Sequence, residues 1–266
     1  MGIFDSISRG FALTVASLKI AFKEPWMIAL PFLSGLLMLA LIVSFIFLLL
    51  PVADSNVATW GAVLALYLIG YFLFYFTQAM IVFGAKERFA GRDPTFGQCF
   101  SSAMAHAPTL LILAAIGATI GLLMQVIGRD KNGRPTLFGQ ILSSLIGVAW
   151  TLVSYFSLPV ILNEDKGVLD SFKRSVELVT KAWGEGMSAN LSLSLLTLPG
   201  IVLMGLGLFV GFLPLALLGL LAFVAGYALS IPAKAVISQA LYVYATTQQV
   251  PTGMEADHLA GAFAKK

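Results

Sequence analysis

The stretch Trp150–Gly186, WTLVSYFSLPVILNEDKGVLDSFKRSVELVTKAWGEG, decides the fold. It begins as an apolar segment, crosses Pro159, turns through Asn163–Gly167, and continues as a helix with one greasy and one charged face. The greasy stripe is Val168, Phe172, Val176, Val179 and Trp183. The charged face holds Asp170, Lys173, Arg174, Glu177 and Lys181. Apolar residues at steps of three and four mark a helix stripe. A charged amphipathic helix joined to a long apolar run reads as an elbow lying in the membrane interface and feeding a span.

Composition places the rest of the chain in the same setting. Of 266 residues, 59% are hydrophobic and 11% charged, less than half the charge of an average soluble domain at roughly 25%. The apolar residues come in runs of about 20, the length that a hydrocarbon layer of ~30 Å requires at ~1.5 Å per residue. An all-α polytopic membrane protein follows. The expectation is six transmembrane helices in three hairpins, each preceded by an interfacial amphipathic helix. Cys99 is the single cysteine, so no disulfide forms within one chain. Cys99, His106 and His258 are too few and too scattered for a zinc site, and no cofactor is expected. No cleavable signal is expected, because the first strong apolar run starts only at Trp26.

The same helix-plus-hairpin unit recurs upstream in weaker form. Residues 6–23 carry Ile7, Phe11, Val15, Leu18 and Phe22 on one stripe, with Arg9, Ala12, Ala16, Lys19 and Lys23 opposite. Asp5 or Ser6 caps the start, and Glu24-Pro25 ends the helix because the residue before Pro is driven out of the α region. Spans are expected at Trp26–Leu50 and about Val57–Ala85. Asp93-Pro94 then reads as an N-cap with Pro at the first helical position. The helix it opens carries Phe96, Phe100, Ala103 and Ala107 on one face. Further spans are about Ala107–Ile127, Leu137–Leu162, Met187–Gly211, and a sixth from near Leu215. The elbows superpose on Phe11, Phe100 and Phe172, followed four positions on by Val15, Met104 and Val176. That alignment suggests one transmembrane domain over 1–245 built from three copies, 5–88, 89–162 and 163–245, with a polar tail over 246–266.

Lys and Arg set the orientation. With the N-terminus inside, thirteen of the sixteen basic residues fall on the inner side, and only Arg129, Lys131 and Arg134 on the outer. Both termini are therefore expected in the cytoplasm, with the protein in the cell's inner membrane.

Two runs carry a family resemblance. The first extends from Phe76-Thr77-Gln78-Ala79 through Gly91-Arg92-Asp93-Pro94-Thr95-Phe96-Gly97. The second holds Trp150, Tyr155-Phe156, Pro159-Val160, Glu164, Phe172-Lys173-Arg174-Ser175 and Trp183-Gly184. Together, over about residues 5–245, they resemble an uncharacterised prokaryotic family of six-span membrane proteins. The pattern is similar to the membrane domain attached to some glycerophosphodiester phosphodiesterases. The resemblance implies a helical fold of three hairpins and no established activity. The phosphodiesterase barrel is absent, so no catalytic residue carries over.

Function is less legible. The chain has no G-x-S-x-G, no H-E-x-x-H, no intramembrane Asp pair and no His inside an expected span, so an enzyme is not expected. A passive channel or uncoupled permease for a small solute or ion is the leading reading. It rests on the in-span candidates Gln78, Gln125, Asn190 and Lys234, with Pro199-Gly200 as a break that exposes backbone dipoles. No charged partner for Lys234 lies in the other spans, which argues against proton coupling. The alternative is a non-transporting scaffold or lipid-interacting protein, with Arg9, Lys19, Lys23, Lys173 and Arg174 on anionic headgroups. The expected partner is the lipid bilayer and not nucleic acid. The G-x-x-x-G pairs Gly117/Gly121 and Gly207/Gly211 fit packing within one subunit as well as a homo-oligomer.

Overall fold

A computed structural model describes residues 3–49, 56–129, 133–181 and 193–255. The helices are α1 (Ile3–Phe22), α2 (Pro25–Leu49), α3 (Asn56–Phe89), α4 (Phe96–Ala105), α5 (Ala107–Ile127), α6 (Leu137–Ser154), α7 (Ser157–Glu164), α8 (Val168–Lys181), α9 (Leu198–Val210) and α10 (Leu213–Thr247). Among the described residues there is no strand, only an isolated bridge between Arg129 and Pro135 in the α5–α6 turn. The fold is all-helical. In hydrocarbon every backbone N–H and C=O must find its partner inside the protein, and a helix does this locally.

Among the described residues five segments are long and apolar enough to cross a membrane: Pro25–Phe47, Gly61–Phe89, Ala107–Ile127, Leu137–Glu164 and Leu213–Thr247. The chain is a multi-pass membrane protein. The expected span Met187–Gly211 is represented by α9, whose 13 residues reach only ~20 Å. The first part of that expected span lies outside the described residues. Six full spans are therefore not assigned. Pro199 also does not sit in the middle of a helix. It occupies the first turn of α9, after turns closed by Leu196 N–H to Leu193 O (3.1 Å) and Thr197 N–H to Ser194 O (3.2 Å). At that position a missing N–H breaks no bond.

The fully buried residues gather at one end of the bundle, here termed the elbow end. Ala79–Val82 and Ala85 on α3, Ala233 and Ala235–Leu241 on α10, Leu110 and Leu113 on α5, and Phe156 and Val160–Leu162 at the start of α7 form its centre. Leu13, Cys99, Ala103 and Leu178 dock onto it from α1, α4 and α8. Toward the other end the helices carry large exposed apolar side chains, as at Leu36, Phe47, Leu145 and Phe209. Those surfaces suit lipid.

Each elbow buries a face that includes small side chains, and its aromatic residues add ring contacts at the rim, Phe100 with Phe76 and Phe172 with Trp150. In α1 the buried face is Gly10, Leu13, Thr14, Ser17, Ile20 and Ala21, while Phe11 and Phe22 are exposed. In α4, Cys99 and Ala103 are buried while Phe96, Phe100 and Met104 are exposed. In α8, Val168, Ser171, Ser175, Leu178 and Val179 are buried and Val176 is exposed. The packing face is thus rotated from the expected stripe in α1 and partly in α4, which keeps Ala103, whereas in α8 Val168 and Val179 of the expected stripe are themselves buried. Small residues let a short helix approach closely while lipid accepts the large ones. Trp183, at the end of the α8 stripe, lies outside the described residues.

Local signals account for the junctions. The N-cap of α4 is Thr95, not Asp93: Thr95 Oγ accepts the Gln98 N–H at 3.3 Å, and the Gln98 side chain accepts the Thr95 N–H at 3.0 Å. This reciprocal pair satisfies two orphan donors. Asp93 instead pairs with Arg88. Asp5 and Ser6 lie inside α1, which starts at Ile3, so neither caps it. Pro25 both stops α1 and opens α2. The α5–α6 hairpin keeps Thr136 as a cap, its hydroxyl accepting the Gly139 N–H at 3.1 Å.

α9 and α10 form a hairpin of glycine contacts. A Cβ at Gly200 would lie 2.2 Å from the Phe223 backbone, at Gly207 2.3 Å from that of Ala216, at Gly219 2.2 Å from that of Met204, and at Gly226 2.1 Å from Leu196 O. Of the second expected G-x-x-x-G pair, Gly207 makes such a contact, whereas Gly211 is the left-handed helix end at φ 72°. The first pair is also used within the subunit, since Gly117 and Gly121 face the Tyr71 ring. Beyond α10, Pro251 and Met254 are buried and Thr252 Oγ donates to Phe89 O at 3.2 Å.

Candidate functional site

The fourth span breaks at Tyr155-Phe156, between α6 and α7. Pro159 causes the break: it has no N–H for the Tyr155 carbonyl, and its ring pushes that carbonyl away. The next rung of the ladder, Phe156 N–H to Leu152 O, is replaced by a side chain. Ser175 Oγ, from the middle of α8, accepts the Phe156 N–H at 3.0 Å and donates to Leu152 O at 3.4 Å. Beside it, Phe172 meets Trp150 edge to face, with ring centroids 5.5 Å apart. The elbow is plugged into the broken helix.

On the other side of the break is a cleft of about 190 Å3 between α3, α6 and α10. Its polar lining includes Tyr75, Gln78, Ser154, Tyr155, Lys234 and Ser238. Three of these are tied to backbone carbonyls: Gln78 Nε2 donates to Ile231 O at 3.4 Å, Ser154 Oγ to Trp150 O at 2.7 Å, and Ser238 Oγ to Ala235 O at 2.9 Å. Lys234 is exposed at the mouth, two residues past the buried Pro232. No described residue forms an ion pair or hydrogen bond with its ammonium group. The structure thus brings together two of the sequence candidates, Gln78 and Lys234.

The remaining candidates are elsewhere. Gln125 donates to the Tyr67 hydroxyl across α5 and α3. Pro199 and Gly200 begin α9, with Gly200 pressed against α10. Asn190 and the Arg9 side chain lie outside what is described. Lys19 and Lys23 are exposed at the end of α1, and Lys173 is exposed beside Asp170 at 3.3 Å. Arg174 is tied into the protein. It donates to Glu177 at 3.0 Å and to Glu164 at 3.1 Å, and these hydrogen bonds and charges raise its pKa above the ordinary guanidinium value.

A second polar cluster surrounds Glu164 at the end of α7. It accepts from Lys166 at 2.6 Å, Arg174 at 3.1 Å and the Tyr242 hydroxyl at 2.9 Å. Next to it, Asn163 and Gln239 exchange amide hydrogen bonds at 3.1 and 3.4 Å, and Lys86 Nζ donates to Leu162 O at 3.0 Å. Similar latches join the other elbows. Glu24 accepts the Trp26 indole N–H at 2.9 Å and pairs with Arg88, while His106 lies 3.4 Å from Asp165. Around Glu164 these groups satisfy one another, as buried polar networks require, whereas Arg88 keeps its Nε buried without a hydrogen-bond partner among the described residues. The sequence places Glu164 in the turn Asn163–Gly167, and its role as a hub is not legible there, since Tyr242 is 78 positions away.

Among the described residues no group of three or more His, Cys, Asp or Glu side chains could hold a metal ion. Comparison with curated proteins gave no match. The family described as "Family of unknown function (DUF6159)" matches residues 57–260, which hold both runs quoted above for a family resemblance and leave out the chain's first elbow and span. The chain is a multi-pass helical membrane protein belonging to that family, DUF6159.

Proposed function

We propose that this protein is a non-catalytic, lipid-interacting membrane protein of the inner membrane, with the elbow end and both termini in the cytoplasm. The observation that supports it is the shared register of the elbows. Relative to Phe11, Phe100 and Phe172, the preceding position is Gly10, Cys99 or Ser171, and the position three later is Thr14, Ala103 or Ser175. All six are buried. Each helix therefore turns a face with small residues to the bundle and leaves large apolar side chains outward; beside them stand Lys19 and Lys23 at α1 and Lys173 on α8, whereas α4 carries no basic residue. Such a surface suits an anionic leaflet, where each basic residue contributes ~1 kcal/mol. The common register also supports a threefold repeat of helix and hairpin. The likeness to the phosphodiesterase-attached membrane domain adds a setting beside lipid and no chemistry.

The test is reconstitution. In vesicles of graded anionic-lipid content, Lys19→Gln/Lys23→Gln/Lys173→Gln is expected to lose the enrichment of anionic lipid around the protein. Enrichment equal to wild type overturns the reading.

A passive permease is the second reading, favoured by the broken α6–α7 helix facing a polar cleft. Protein-dependent flux of ions or small solutes into proteoliposomes, lost in Lys234→Gln, would establish it in place of the first.

A further inference from the structure

The polar cleft adjoins two apolar spaces. An apolar groove of about 670 Å3 lies between α2, α3 and α10, lined by residues such as Phe32, Gly35, Leu39, Leu73 and Ile231. A smaller space of about 390 Å3 adjoins it at Met38 and Gly70, which line both. Tyr71 lines that space and the polar cleft, and Phe74 lines all three. The three are therefore neighbours, running from an apolar wall to the Lys234 ammonium.

We infer that this groove holds one anionic phospholipid of the surrounding bilayer, an acyl chain between α2, α3 and α10 and the headgroup phosphate at Lys234. The inference concerns a different site from the elbow surfaces and does not rest on them. Three observations carry it. The groove opens sideways: Phe32, Leu36, Leu39 and Val224 on its walls are exposed on surfaces that face lipid, so its occupant enters from the bilayer. Among the described residues lining the polar end, Lys234 is the one cation. Lys234 lies eight residues, ~12 Å along α10, from Tyr242 at the Glu164 cluster, and Gln78 lies the same distance along α3 from Lys86. An ammonium at such depth is unfavourable without a counter-ion, and no described carboxylate lines the cleft. A phosphate supplies the missing charge, and Lys serves phosphate as a point charge. The alternative, Lys234 stretched toward the interface without a partner, predicts no lipid selectivity.

The full chain, delipidated in detergent, is offered phosphatidylglycerol and phosphatidylcholine at equal mole fraction, and bound lipid is read by native mass spectrometry. Wild type is expected to retain one phosphatidylglycerol per chain in preference to phosphatidylcholine. Lys234→Gln lowers that preference about tenfold, the effect of losing one charge-assisted contact. Lys234→Arg keeps it, and Lys19→Gln/Lys23→Gln keeps this one retained lipid while losing the weaker anionic lipids of the elbow surfaces. A second variant addresses the apolar half. A Cβ at Gly35 meets nothing within 4 Å, so Gly35→Phe enters the groove without a clash from the first atom. It is expected to reduce retention of both lipids, and it decides the matter alone where Lys234→Gln does not fold. Equal retention of the two lipids by wild type, an unchanged preference in Lys234→Gln, or unchanged retention in Gly35→Phe overturns the inference. Loss of the preference in Lys19→Gln/Lys23→Gln, with Lys234→Gln unchanged, assigns the lipid to the elbows instead.

Discussion

The hydroxyl of Ser175 on α8 accepts the backbone N–H of Phe156 at 3.0 Å, across 19 positions of sequence. It stands where the Leu152 carbonyl would serve in an unbroken helix. Removing it leaves a buried donor unpaired, which costs about 1–3 kcal/mol. Ser175→Ala is therefore expected to lower the unfolding temperature in detergent. Thr180→Ala, on an exposed side chain bonded only to Glu177 O, should fall within about 0.5 kcal/mol of wild type. Equal melting of Ser175→Ala and wild type would mean that the plug contributes nothing.

The Trp150–Phe172 contact makes the same junction sensitive to charge. Phe172→Asp places a carboxylate against an indole in an apolar joint and should prevent assembly, seen as aggregation on size-exclusion chromatography. Phe172→Leu keeps apolar bulk and loses about 0.5–1.5 kcal/mol of ring contact. A normally extracted, normally eluting Phe172→Asp protein would refute the docked elbow.

The α9–α10 hairpin distinguishes two kinds of glycine. Gly219→Val directs a branched side chain at the Met204 backbone, 2.2 Å from the new Cβ, and the helices must part. Gly205, on the same hairpin, has nothing within 4 Å, so Gly205→Ala should be neutral or slightly stabilising. Comparable yields and melting of both variants would show that the close approach is not needed.

Cys99 offers a pH-dependent test. Burial, and secondarily the nearby Glu24 and Glu87 charges, push its thiol up to about 12. At pH 8 the thiolate is scarce, and the folded protein should resist maleimide until denatured. A thiol held neutral contributes stability that is complete below the unfolded value of ~8.5 and is lost as pH rises toward 12. Cys99→Ser should flatten that alkaline slope. Rapid labelling of folded protein at pH 8 would contradict the buried α4 face.

Much of the architecture was readable because lipid imposes it locally. α5 spans Ala107–Ile127, the limits expected from the apolar run, and α2 and α8 start within a residue of theirs. A hydrocarbon environment demands long apolar helices whatever their neighbours are, and Pro25, Gly167 and the polar turn at 128–136 punctuate them. The expected cap at Asp93 failed for an equally local reason, since the Thr95–Gln98 pair two residues on satisfies more donors.

The faces of the elbows were not readable. Hydropathy assigns Phe11 and Phe100 to an apolar stripe, but in a bilayer both sides of an interfacial helix can meet apolar matter, so the stripe does not say which side meets protein. Thr14, Cys99, Ala103, Ser171 and Ser175 settle that by size, and size matters only against a particular neighbour. The candidate site was half legible in the same sense. Gln78 and Lys234 stand out as polar residues in apolar runs, but what gathers them with Ser154 and Tyr155 is the approach of α3, α6 and α10. That this chain crosses a membrane as helices follows from its apolar runs alone, since backbone hydrogen bonding in lipid leaves no other local solution. That Ser175 fills the joint opened by Pro159, and that Lys234 stands beside an apolar groove, comes from packing. Each of these depends on contacts between residues far apart in the chain, which no local preference encodes.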